Sequence, residues 1–209
     1  NKVSFYIQKH SSKKMTTNIK TATCMVILFT TGLLFASCSN GKNTNDVKDV
    51  AEELNAEKFD SNKQEKDAQF VVDAAEMNIE EIQLGQLAMQ KGSSTHVKEL
   101  GKMMVDMYTK SQTDLAAMAN NKFISIPTSP TDDAMESFNK LNTKSGLEFD
   151  KAYADMMVDK HKDAIKTFEK ASTDCEDTDI KNWAATSLPD LRAHLTYSED
   201  CQEKCKMNN

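Results

Sequence analysis

Four stretches of this chain repeat apolar side chains at intervals of three and four residues, with little inside them that would stop a helix. In the first, Phe70, Ala74, Met77, Leu84, Leu87 and Ala88 share a stripe that runs out at Lys91-Gly92. In the second, Val97, Leu100, Met104, Tyr108, Leu115 and Met118 repeat the pattern after Ser93 or Ser94, either of which can cap the helix. Phe149, Tyr153, Met157, Ala164 and Phe168 mark the third, and Ile180, Ala184, Leu188, Leu191 and Leu195 the fourth. Such spacing specifies amphipathic helices, and 6 Gly and 3 Pro in 209 residues leave few places for turns.

The breaks that do occur set the connections. Pro127 and Pro130 interrupt a Thr/Ser-rich loop, Asp132 or Asp133 starts a short helix with Met135, Phe138 and Leu141, and Gly146 separates it from the third stripe. Helices of about 20 to 27 residues, ~30 to 40 Å long, joined by short hairpins around one longer connection, predict an all-α fold. The expected form is an antiparallel four-helix bundle with a short extra helix in its crossover. Pro189 falls inside the last helix; it either kinks that helix or begins a new one at its first position.

Residues 1–38 differ from the rest. Lys13, Lys14 and Lys20 precede an apolar run from Ala22 to Leu34, and no acid occurs before Asp46. A basic region, a short apolar core and small residues make a secretory signal, and the core is too short to span a membrane. Leu34-Phe35-Ala36-Ser37-Cys38 resembles a bacterial lipobox, which makes Cys38 the lipidated residue and Met15 the expected start. The polar segment 39–66 reads as a tether with a transient helix around Val47 to Leu54, and the helical domain as residues 67–205.

Charge and cysteine usage narrow the partners. Losing residues 1–38 removes five Lys and no acid, which moves the formal net charge from −6 to −11. Nucleic acid is a poor partner for such a surface. The expected membrane contact is through the lipid, facing the periplasm from the outer membrane; a protein partner and self-association are left open. Cys175, Cys201 and Cys205 remain after export, with no pair of short Cys motifs and no adjacent His that would signal zinc. Cys201 and Cys205 share a helical face with Cβ atoms about 5 to 6 Å apart, against the ~3.8 Å of a disulfide. The expectation is a local bridge in a loosened last turn with Cys175 free, the alternative being three free thiols.

Three polar residues interrupt core-facing stripes: Glu81 between Met77 and Leu84, His161 between Met157 and Ala164, and His194 between Leu191 and Ser198. Buried ionisable groups are costly unless they pair or bind something. All three fall near mid-helix, so they are expected in one layer, with His161 and His194 approaching each other. Inward carboxylates and imidazoles are how helical bundles hold metals, so Glu81, His161 and His194, with Asp106, form a candidate single site for Fe, Zn or Mn. No Glu-x-x-His occurs, and the competing reading is mutual hydrogen bonding that fixes packing. His96 reads as a solvated residue and the Met-rich stripes as adaptable core. No Gly-x-Ser-x-Gly or phosphate-cradling loop occurs, and nothing in the chain fixes an enzymatic activity or requires a cofactor.

Several of these residues together resemble a bacterial family, the domain of unknown function numbered 4142. They are Phe70-Val71 with Ala74-Ala75, Glu81-Ile82 with Leu84-Gly85, Met104-Val105-Asp106, the Pro127 loop, Ser145-Gly146 with Phe149-Asp150, His161, and Leu188-Pro189 with His194. The resemblance implies a ferritin-like helical bundle in an exported or lipid-anchored protein. Where members often carry His after the second-helix Asp, this chain has Met107. The expected role is a non-enzymatic, lipid-anchored envelope protein that binds a partner or supports the envelope. The alternative is a ferritin-like metal-binding protein with one Glu/His site in its core.

Overall fold

The computed structural model describes residues 46–207, and every regular element in them is an α-helix. These are α1 (Val47–Ala56), α2 (Asn62–Lys91), α3 (Thr95–Asn121), α4 (Asp132–Asn142), α5 (Gly146–Asp174) and α6 (Thr178–Met207). The signal-like segment, with Cys24 and Cys38, lies outside the described residues. Helices α2 and α3 form one hairpin and α5 and α6 a second; α3 also touches α6, α2 touches α5, and α4 packs against α2 and α5. No helix among the described residues is long and apolar enough to cross a membrane.

Of the polar stretch read as a tether, the described residues 46–66 are largely helical. Helix α1 docks on α2 through Lys48, whose Nζ is 2.8 Å from Asp73 Oδ1 and 2.5 Å from Glu76 Oε2. Asn55 is buried and exchanges two hydrogen bonds with the Ser125 backbone, donating to its carbonyl at 2.8 Å and accepting from its amide at 2.7 Å. Asp46 caps α1 by accepting from the Lys48 amide at 2.7 Å, and its second oxygen accepts from the Asp132 amide at the start of α4, also at 2.7 Å. The helix expected as transient around Val47 to Leu54 is thus α1, and these polar contacts hold it in place. Ser61 then caps α2, whose first residue, Asn62, lies five residues before the expected domain start at residue 67.

Two glycines bring α2 and α3 unusually close. A Cβ on Gly85 would lie 2.7 Å from the Gly101 carbonyl oxygen, and one on Gly101 would lie 2.7 Å from that of Gly85. The core continues from this seam to an aromatic cluster in which Phe168 lies 5.1 Å from Phe70 and 5.3 Å from Trp183 between ring centroids.

Each hairpin turn is capped by a carboxylate from the other hairpin. Asp150, near the start of α5, accepts from the amides of Ser93 and Ser94 and from the Ser93 hydroxyl, each at 2.8 Å. Asp67, near the start of α2, accepts from the amides of Glu176 at 3.0 Å and Asp177 at 2.7 Å. Both side chains are buried. They satisfy donors that helix starts leave unpaired.

Helix α6 runs from Thr178 to Met207 with Pro189 inside it, so no second helix begins there. The proline removes one amide donor. One turn before it, the hydroxyls of Thr186 and Ser187 donate to the carbonyls of Asn182 at 2.9 Å and Trp183 at 2.8 Å.

Candidate functional site

The polar interruptions of the stripes are all buried in the core, and the two imidazoles meet there. Glu81 and His161 are each 1% exposed and His194 is 5% exposed. The imidazoles of His161 and His194 lie 5.5 Å apart between centroids, and Tyr108 from α3 lies 5.9 Å from the first and 5.6 Å from the second. A carbonyl only accepts, so the 2.7 Å contact of His161 Nδ1 with the Met157 carbonyl places the ring proton on Nδ1. Nε2 then accepts from the Tyr108 hydroxyl at 2.9 Å.

Other polar atoms of this layer have no hydrogen-bond partner among the described residues: Glu81 Oε2, the Tyr153 hydroxyl and both ring nitrogens of His194. Electrostatics follow the burial. Desolvation pushes the Glu81 carboxyl up to about 8, against a weaker opposing pull from Lys160, so the acid is mostly protonated at neutral pH. Burial lowers His161 to about 4 and lowers His194 as well. Tyr108 and Tyr153 are raised well above the ordinary phenol value by burial and then by Glu81. The layer is a set of neutral hydrogen-bonding groups. A cleft of about 190 Å³ reaches it from outside, past Met107, Asp114 and Asp190 to Tyr108 and His194.

Asp106 does not belong to this layer. It is an exposed residue paired with Lys102 on the next turn of α3. Tyr108 and Tyr153, which periodicity reads only as apolar core, are its additional members; a hydroxyl on a core stripe is the signal that would find them.

A second cluster lies where the start of α3 meets the end of α6. His96 is half-buried rather than solvated, with Nε2 3.4 Å from Cys205 Sγ and 3.2 Å from Ser94 Oγ. Cys201 and Cys205 are buried. Ligand atoms of His96, Cys201 and Cys205 all lie within 4.8 Å of one another, and no other triple of His, Cys, Asp or Glu among the described residues meets that test. Burial pushes the Cys201 thiol up to about 12, with Cys205 adding to the effect. The expected Cys201 to Cys205 bridge is not formed: α6 stays helical through Met207, its last turn does not loosen, and Cys175 is free as well.

The core layer is not arranged as a preformed metal centre. Glu81, His161 and His194 do not bring three donors within 4.8 Å, Nε2 of His161 is engaged by Tyr108, and burial favours the protonated form of Glu81. These residues do not fit an Fe, Zn or Mn ion without rearrangement.

No curated protein and no solved structure matches the chain. The sequence profile of one family, described as a domain of unknown function (DUF4142), matches residues 43–200. That span takes in the α1 segment, the Glu81, His161 and His194 layer, and both capping aspartates, and the chain belongs to this family.

Proposed function

We propose that this protein is a lipid-anchored module of the bacterial envelope, a ferritin-like antiparallel four-helix bundle that binds a partner close to the membrane rather than catalysing a reaction. The observation that carries this reading is the position of α1. Only residues 39–46 separate the lipobox cysteine Cys38 from a helix already docked on α2. Eight residues span at most about 29 Å when fully extended, so a lipid on Cys38 would hold the domain near the bilayer surface. The acidic mature charge fits a protein partner better than a bare anionic lipid surface, and the outer membrane facing the periplasm is the proposed site.

Metabolic labelling with an alkyne fatty acid in the native host tests the anchor. Label and membrane retention are expected in the wild-type chain, and both are expected to vanish in Cys38→Ala while helical content is unchanged. A labelled Cys38→Ala protein, or an unlabelled wild type, overturns the reading.

A metal-binding core is the second reading, favoured by the unpartnered Glu81 Oε2 and His194 nitrogens. It requires Glu81 to release its proton and Tyr108 to release His161. Elemental analysis of protein purified without added metal, with Glu81→Gln and His194→Gln beside it, separates the two readings: stoichiometric metal lost in both variants supports the second.

A further inference from the structure

We propose that His96, Cys201 and Cys205 form a zinc-binding site that clamps the C-terminal end of α6 to the start of α3. The three donors come from helix segments more than a hundred residues apart in the chain and lie within 4.8 Å of one another. With Zn–S bonds of about 2.3 Å, two sulfurs around a tetrahedral zinc stand roughly 3.8 Å apart. The donors need to close by about an ångström or less, which side-chain rotation supplies.

The spacing that disfavours a disulfide favours an ion. Residues four apart on an intact helix hold their sulfurs on one face without the short Cβ separation of a bridge, and a metal between them uses that separation. Two thiols and an imidazole select a borderline or soft ion over Mg²⁺ or Ca²⁺, and zinc is the common redox-inert choice. Asp150 lies close enough to act on both thiols electrostatically, but its oxygens are taken by Ser93 and Ser94. The fourth position therefore falls to water, and half-buried His96 gives the ion its way in.

The test uses the full chain, reduced and metal-free, titrated with Zn²⁺ against a chromophoric chelator and separately with Co²⁺. One Zn²⁺ per chain is expected, with the intense near-ultraviolet thiolate-to-cobalt band in the Co²⁺ form. Replacing an outer partner of a metal ligand costs about 10- to 100-fold in affinity, so loss of a ligand in Cys201→Ser, Cys205→Ser or His96→Gln should exceed that. Circular dichroism confirms that each variant is folded. His161→Gln and His194→Gln should keep the zinc, which separates this site from a metal-binding core. Unchanged binding in both serine variants overturns the proposal. So does binding of Cu⁺ but not Zn²⁺, or a Cys201 to Cys205 disulfide in chains trapped with a thiol-blocking reagent straight from the envelope.

Discussion

Among the described residues the hydroxyl of Tyr108 is the one hydrogen-bond partner of His161 Nε2, and it joins α3 to α5 through the middle of the core. Tyr108→Phe leaves a buried acceptor without a donor. A loss of about 1–3 kcal/mol in unfolding free energy is expected, read from urea denaturation. Added to His161→Phe, the same change should cost less than it does alone, because the acceptor has already gone; additive losses would show that the two groups are not coupled.

Glu81 and the two histidines give stability opposite dependences on pH. The folded pKa of Glu81 is about 8, against roughly 4.3 for a free carboxyl. The unfolded chain therefore loses this proton first, and the stability of the neutral buried acid falls as pH rises from about 4 to about 8. His161, lowered to about 4, and His194, also lowered, refuse protons that the unfolded chain accepts. Their contribution is present above about pH 6.5 and falls as pH drops toward 4. Glu81→Gln should flatten the alkaline limb of a plot of urea midpoint against pH, and His161→Gln the acid limb. An unaltered alkaline limb in Glu81→Gln would show that this carboxyl is ionised in the native protein.

At the α2–α3 seam, Gly85→Ala places a methyl 2.7 Å from a backbone oxygen that has no rotamer by which to withdraw. The helices must move apart, at a cost of about 1–3 kcal/mol. Gly146→Ala is a useful contrast: nothing among the described residues lies within 4 Å of the added Cβ, but φ is +59°, so its cost is backbone strain of about 1 kcal/mol. Thermal midpoints compare the two, and Gly85→Ala is expected to fall further.

Helix α1 should behave as part of the domain. Its amides are expected to show hydrogen-exchange protection in the wild-type chain and to lose most of it in Asn55→Ala, which breaks both bonds to Ser125. Exchange of α1 at the rate of free peptide in the wild type would return this segment to the status of a linker.

The contrast between α1 and the core shows what the sequence can disclose. Glu81, His161 and His194 are visible because each is a polar residue at a position whose neighbours three and four away are apolar. Tyr108 and Tyr153 pass unnoticed because an aromatic ring satisfies the same pattern while carrying a hydroxyl. Asp106 lies two residues from both Met104 and Tyr108 and so faces away from their stripe, as its exposure confirms. The meeting of His96 with Cys205 depends on how far the end of α6 reaches along α3, a register that no local pattern encodes. The docking of α1, though not the helix itself, is hidden for another reason: Asp46, Lys48 and Asn55 hold it through polar partners elsewhere in the chain.

The exchanged caps of Asp67 and Asp150 bear on the order of folding. A lone α2–α3 hairpin has its turn amides open, because the carboxylate that receives them is on α5; a lone α5–α6 hairpin lacks its receiver on α2 in the same way. Each half leaves turn amides that only the other half receives, so a half-formed species gains less and the two should assemble in one concerted step. Burial tends to raise the Asp150 carboxyl, but the Ser93 and Ser94 donors outweigh it and hold the group below its usual value. Acid should therefore loosen both halves together, with a single transition by fluorescence of Trp183 and by helical circular dichroism.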